Sequence, residues 1–218
     1  MAAEDLTGWT EVVRDDCSST LALLAQRSAV WPAPLNDLAA QVVQAGAALS
    51  ARIARVARAR PQGVKTRVHG DLHLAQVLIC RDDYFVIDFE GEPQRSFEQR
   101  RAKQSPLRDV AGMLRSFDYA RHTALHHSAQ GVAELERLGP VARLWERQVR
   151  EAFLATYFEV AQAGGLYGQD EDRATNEALL DLFELEKALY ELRYEIDHRP
   201  DWVAVPLAGI AALAGILD

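Results

Sequence analysis

A short β-prone island interrupts a chain otherwise patterned for helices, and each end of the island delivers an aspartate. Thr66 to His69 and Tyr84 to Asp88 carry the β-branched and aromatic residues of strands. They flank Leu74 to Cys80, with Arg81-Asp82-Asp83 as a hairpin turn. Asp71 follows the first run and Asp88 closes the last, 17 residues further on, and both read as carboxylates at the ends of buried strands. Gln76 stands five residues after Asp71. Mg²⁺-dependent phosphoryl transfer needs one carboxylate to orient the attacking hydroxyl, a second on the metal, and an amide-type oxygen five residues after the first. Asp71, Asp88 and Gln76 fit those three places.

Helical periodicity fills the rest. Trp9, Val12, Val13, Leu21 and Leu24 set a helix between Leu6 and Val30, which Trp31-Pro32-Ala33-Pro34 breaks. Leu35 to Ala59 predicts one further helix, with Asn36 or Asp37 as N-cap and Pro61-Gln62-Gly63 as its stop. Glu90 to Pro106 is charged and punctuated by Gly91, Pro93 and Pro106, the texture of a long functional loop. Leu107 to His127, Glu134 to Ala163 and Asp172 to His198 are helical again, with Pro140 expected in a first turn. The expected fold is α+β and predominantly α-helical, a small β-hairpin carrying the two aspartate loops. The expected organisation is one lobe in three parts: 1–63 helical, 64–130 with the loops, and 131–218 helical and substrate-binding.

A formal charge of −8 argues against nucleic acid or an anionic membrane as the main partner, since neither attracts an acidic surface. Cys17 and Cys80 form no CxxC pair, so neither a zinc knuckle nor a disulfide framework is indicated. The start, Met-Ala-Ala-Glu-Asp-Leu, has no basic region followed by an apolar one, and the expected location is cytoplasmic. The apolar tail from Trp202 to Leu217 is shorter than the roughly 20 residues of a membrane span and reads as a packed C-terminal segment.

The run His69-Gly70-Asp71-Leu72-His73-Leu74-Ala75-Gln76-Val77-Leu78 resembles the catalytic loop of the aminoglycoside-phosphotransferase-like, protein-kinase-like small-molecule kinases. Three further stretches follow in family order: Val86 to Pro93, Ser105 to Phe117, and Glu184 to Glu195 with Arg199-Pro200-Asp201-Trp202. Among those kinases the chain looks most like the maltokinases, which make maltose 1-phosphate from maltose and ATP. Ala75 stands where that family commonly has glycine, and Asp88 sits in Asp-Phe-Glu instead of Asp-Phe-Gly. Before His69 there are three isolated glycines and one lysine, Lys65, so no Gly-rich loop with a strand lysine precedes the motif. The resemblance therefore covers the C-terminal lobe only, and implies ATP held with an N-terminal lobe supplied upstream, by fusion, or by a partner.

What the resemblance implies for single residues is specific. Asp71 is the catalytic residue, and Asp88 and Gln76 are the Mg²⁺ side. His69 either braces the loop or transfers a proton, and His73 either sits near the transferred phosphoryl group or packs. Glu90 either binds a second metal or caps its loop. Asp109, just after Pro106, accepts backbone N–H bonds from the catalytic loop. Lys187, Tyr190, Glu191, Tyr194 and Glu195 recur at i, i+3, i+4, i+7 and i+8, one helical face beside the apolar stripe of Leu182, Leu185, Leu189, Leu192 and Ile196. Aromatic rings beside carboxylates suit a sugar, while a solvated Glu/Lys face is the competing reading. The function implied is transfer from ATP to a sugar hydroxyl, most simply that of maltose. The alternative is a non-catalytic sugar-binding or docking module that serves a trehalose synthase-type enzyme.

Overall fold

The computed structural model describes residues 1–60, 63–92, 96–167 and 173–217. The stop at Pro61-Gln62, Pro93 of the second motif, Gly168 and the helix start at Asp172 lie outside the described residues. By contact the chain divides into two compact units, Met1–Gln62 with Asp172–Asp218, and Gly63–Glu171.

The first unit is a helical bundle of α1 (Ala3–Arg27), α2 (Leu35–Gln44), α3 (Gly46–Val56), α7 (Arg173–His198) and α8 (Ala204–Leu213). α1 buries Leu6, Val13, Cys17 and Leu24, one stripe at helical spacing. α7 supplies the long side chains of the core, Leu179, Leu182, Phe183, Leu185, Leu189 and Leu192. Each such side chain is worth roughly 1.5–3 kcal/mol of transfer free energy. Trp9 meets Phe183 edge to face at 5.3 Å between ring centroids. Arg52 Nε donates to Asp181 at 2.9 Å, and Arg193 Nη1 donates to Thr20 Oγ1 at 2.7 Å, tying α7 to α3 and α1.

The single helix expected over 35–59 is two. The backbone leaves helical geometry at Ala45 (ψ 8°), and Gly46 then begins α3 so close to α1 that a Cβ there would meet Leu21 Cδ1 at 3.2 Å. The break lets each half bury its own apolar face, Ala39 and Val42 in α2, Leu49, Ile53 and Val56 in α3. Pro34 is the N-cap in place of Asn36 or Asp37, and Asp37 lies in the first turn, where its charge suits the helix dipole. The C-terminal tail packs as α8, burying Val205, Leu207 and Ile210. Among the described residues no helix is long and apolar enough to cross a membrane.

The second unit holds a two-stranded antiparallel hairpin, β1 (Val77–Cys80) and β2 (Asp83–Val86), with α4 (Phe97–Arg101), α5 (Leu107–Ser128) and α6 (Val132–Ala163). Val77 pairs with Val86 and Cys80 with Asp83, so the connection is the two residues Arg81 and Asp82, both at positive φ (51° and 63°). Two successive positive φ values match the twist of a tight hairpin. α5 and α6 pack together, with Phe117 edge-on to Phe153 at 5.7 Å.

Four expectations change here. Thr66 to His69 is not a strand: only Thr66 pairs, in an isolated bridge with Gln104. The strands are not buried either, with Ile79 73%, Tyr84 69%, Phe85 50% and Leu78 48% exposed, because a lone two-stranded ribbon covers neither of its faces. The Glu90 to Pro106 loop contains α4, started by a capping box in which Ser96 Oγ accepts from the Gln99 N–H and the Gln99 side chain accepts from the Ser96 N–H. Finally, Pro140 sits inside α6 and not in its first turn. Pro140 and Glu136 are both exposed, so water is at hand for the carbonyl that loses its partner four residues earlier.

His122 on α5 has its pKa lowered to about 4, first by burial, then by the neighbouring His126 and Arg121 charges. Its ring centroid is 4.2 Å from that of His126. As pH falls from the ordinary value of 6.5 towards 4, the unfolded chain takes up this proton before the folded one, so stability falls through that window. The expected result is a smaller loss of urea midpoint between pH 7 and pH 5 in His122→Gln than in the parent protein. Equal losses would show that His122 does not carry the dependence.

Candidate functional site

The site is built outward from the loop of residues 69–74, and one face of α5 holds that loop. Asp109 Oδ2 accepts the His69 N–H at 2.7 Å and Oδ1 accepts the Gly70 N–H at 2.8 Å. One turn on, the Leu72 carbonyl oxygen lies 2.6 Å from where a Cβ on Gly112 would stand. One turn further, Ser116 Oγ accepts the Leu74 N–H at 3.2 Å and donates to the Met113 carbonyl at 2.6 Å. Positions 109, 112 and 116 follow i, i+3 and i+7, so one helical stripe fixes loop residues 69, 70, 72 and 74. Burial pushes the Asp109 carboxyl up from the ordinary carboxylate value, against the pull of its two N–H donors and the Arg108 charge.

His69 links the two aspartate loops. Its ring is buried, Nδ1 accepts the Asp71 N–H at 3.3 Å, and Nε2 lies 2.7 Å from the Ile87 carbonyl oxygen. Those partners assign the proton to Nε2, because a carbonyl can only accept and the Asp71 N–H can only donate. The Phe89 ring stands 5.0 Å from the His69 ring. The loops also meet glycine to glycine: Gly70 (φ +84°) is so placed that a Cβ would lie 3.4 Å from Gly91 Cα. Both glycines are at positive φ (+84° and +77°), where a side chain would strain the backbone.

Gln76 and Asp88 come together. The Gln76 carbonyl oxygen accepts the Ile87 N–H at 3.0 Å, carrying the hairpin pairing one step past β2, and Gln76 Nε2 donates to Asp88 Oδ2 at 2.9 Å. Asp88 is in the left-handed region (φ +63°), which a non-glycine residue adopts at some cost and which here turns the chain just after the hairpin. The Asp88 carboxylate and the Gln76 side-chain oxygen are hard donors of the kind Mg²⁺ takes, an ion that keeps several waters and phosphate oxygens and uses few protein ligands. No group of three or more His, Cys, Asp and Glu that could hold a metal is gathered among the described residues. His73 is half-buried beside this loop, and Glu90 borders a separate cavity with Arg67 and Arg100.

The five residues of the expected sugar face lie on α7, in the other unit. Lys187 Nζ sits 5.0 Å over the Tyr190 ring, Tyr190 stacks on Tyr194 at 6.4 Å, and Tyr194 stacks on His198 at 4.4 Å. Glu195 is 1% exposed and pairs with Arg199 through two contacts, 2.8 Å to Nε and 2.6 Å to Nη2. A sugar contact by Glu195 therefore needs that pair opened, whereas Lys187, Tyr190, Glu191 and Tyr194 are half-buried on the same helix.

Gly112 and Ser116 are the site residues that the motifs did not single out. Their signal was present: a glycine inside a strongly helical pattern usually has a packing reason, and here it shares a stripe with an aspartate and a serine.

The architecture is α+β and predominantly helical, a kinase-like fold that matches about half of a solved sugar kinase. That structure, a glucosamine kinase in complex with glucosamine, ADP and inorganic phosphate, aligns with a TM-score of 0.69 at 24% identity. The alignment covers 99% of this chain and 49% of that one. A second crystal form of glucosamine kinase gives 0.68 at 24% identity over 98% of this chain and 47% of that one. In sequence the chain is similar to the glucosamine kinase of Streptacidiphilus jiangxiensis, 30% identical over 140 residues, 64% of this chain and 29% of that protein. It is also similar to the glucosamine kinase of Mycolicibacterium smegmatis, 32% identical over 145 residues, 66% of this chain and 33% of that protein. The chain thus spans about half the length of the solved structures, and its matched stretch about a third of the curated relatives. No family model matches the chain.

Proposed function

We propose that the chain is the acceptor- and metal-binding part of a cytoplasmic ATP-dependent sugar kinase. The observation that carries this reading is the 2.9 Å contact of Gln76 with Asp88, on a loop that His69 ties to Asp71. Asp71 accepts the proton of the sugar hydroxyl as it attacks, and its placement comes from the loop that α5 holds at Asp109, Gly112 and Ser116. Asp88 and Gln76 hold Mg²⁺, which when bound offsets the charge of the nucleotide phosphates. The glucosamine kinase relatives favour glucosamine as acceptor, whereas maltose is the acceptor that the motifs from His69 to Leu78 and from Val86 to Pro93 suggest. ATP is held jointly with a nucleotide-clamping part outside this chain. The exposed apolar faces of β1 and β2, which start immediately after Gln76 and end just before Asp88, give that part a surface to cover.

Two measurements test this. With ATP present, Mn²⁺ is expected to broaden the Gln76 side-chain amide resonances of the full chain, and Asp88→Asn to remove that broadening. Broadening that survives the substitution sinks the metal assignment. In the protein joined to its nucleotide-clamping part, ³¹P spectra are expected to show a sugar phosphate with glucosamine or maltose, and which one forms decides the acceptor. Sugar binding with no phosphorylation favours instead the docking-module reading. Titration of Tyr190→Ala with both sugars tests separately whether the α7 face takes part.

A further inference from the structure

A second cavity opens in the unit of residues 63–171, on residues to which no role in the transfer was given beyond Glu90. It measures about 400 Å³ and is lined by Arg67, Phe89, Glu90, Phe97, Arg100 and Arg101. That volume is in the range of small-molecule sites. Three arginines and one glutamate line it, in a protein whose formal charge is −8. Like charges gathered against the net charge of the molecule repel one another unless something negative joins them.

Arg100 and Arg101 are held in place without being neutralised, and Arg67 is exposed at the rim. Arg101 lies over the Phe97 ring, 5.2 Å from its centroid. The Arg100 side chain crosses Gly91, where φ is +77° and a Cβ would meet Arg100 Cγ at 3.3 Å, and its Nη1 donates to the Glu90 carbonyl oxygen at 3.3 Å. Arg100 Nε is buried with no hydrogen-bond partner among the described residues. Neither Arg67 nor Arg101 has a carboxylate partner among the described residues. Phe89 and Phe97 are 63% and 64% exposed, so each ring keeps surface uncovered beside its contact with His69 or Arg101.

Pre-positioned guanidinium groups select a planar or tetrahedral oxyanion, and exposed rings select a ring that stacks. We propose that this cavity binds the phosphate monoester of a small ring compound, a sugar phosphate or a nucleoside monophosphate. The phosphate dianion takes the arginines and the ring lies on Phe89 or Phe97. Because Phe89 and Glu90 directly follow Asp88, occupancy is felt at the loop that carries that aspartate. Binding itself requires neither Asp71 nor catalysis.

The test is a titration of the ¹⁵N-labelled full chain, without nucleotide triphosphate or divalent ion, followed at the arginine Nε–H resonances. The probes are glucose 6-phosphate, AMP and inorganic phosphate, with sodium chloride at matched ionic strength. Saturable shifts at Arg67, Arg100 and Arg101 are expected with at least one monoester. The affinity is expected to fall at least tenfold in Arg67→Gln/Arg101→Gln, two exposed positions where the fold should persist, and to stay unchanged in Arg137→Gln on α6. The better of glucose 6-phosphate and AMP identifies the ring. Inorganic phosphate binding as tightly as both overturns the role of the aromatic rings. Shifts that do not saturate, that chloride reproduces, or that persist in the double variant overturn the site.

Discussion

Asp71→Asn is expected to lower sugar phosphorylation by about 10²- to 10⁴-fold, the usual contribution of a positioned general base, while changing sugar affinity little. The asparagine keeps the shape of the side chain but cannot take the hydroxyl proton. The bonds that Asp109, His69 and Ser116 make to this loop run through the backbone N–H groups of residues 69, 70, 71 and 74, which the substitution leaves in place. The measurement is kcat and KM for the acceptor sugar in the protein joined to its nucleotide-clamping part. Unchanged kcat would remove Asp71 from the chemistry. A loss shared equally between kcat and stability would make it a structural residue.

Gly112→Ala is expected to be the most damaging conservative change in the second unit. At an open helical position such a substitution gains up to about 1 kcal/mol in helix propensity, and Gly8 in α1, where a Cβ would meet nothing within 4 Å, is the matched control. At Gly112 the added methyl would stand 2.6 Å from the Leu72 carbonyl oxygen, which is backbone and cannot swing aside. Overpacking of this kind costs about 1–3 kcal/mol, so the clash wins over the propensity gain. Relief comes from moving the loop between Gly70 and Leu74 off α5, and a shift of about 1 Å at reacting groups costs on the order of 10²-fold in rate. Thermal melting of Gly112→Ala and Gly8→Ala side by side, with turnover of the first, checks both effects. A stabilised Gly112→Ala protein with full turnover would show that α5 does not set the loop.

The helices were readable because burial follows their period. α1, α5 and α7 fall within a few residues of where Leu6, Leu107 and the leucines of 179–192 place them, since each must bury one apolar stripe. The hairpin was readable for a different reason: the turn expected at Arg81-Asp82-Asp83 separates two short runs of β-formers, although only Arg81 and Asp82, at positive φ, close it and Asp83 already begins β2. Thr66 to His69 misled, because β-propensity describes a side chain's fit to a pleated surface and no second strand lies alongside beyond the bridge at Gln104. The exposure of Leu78, Ile79, Tyr84 and Phe85 was equally illegible, since an apolar run states what would favour burial and not whether anything covers it.

Within the site, the spacing of Asp71, Gln76 and Asp88 is a property of the sequence alone, and it is what the proposed phosphoryl transfer would require of residue types at those intervals. Spacing cannot say that Gln76 reaches Asp88, that His69 bonds both Asp71 and Ile87, or that Glu195 is committed to Arg199. Nor can it gather Arg67, 33 and 34 residues before Arg100 and Arg101, into one cavity with Phe89. Local order, helix, turn and motif, is written in neighbouring residues because its forces act over a few positions. The stripe of Asp109, Gly112 and Ser116 that holds the loop of residues 69–74 was decided only by tertiary structure, because it depends on which backbone a helix face meets after some 40 residues of intervening chain.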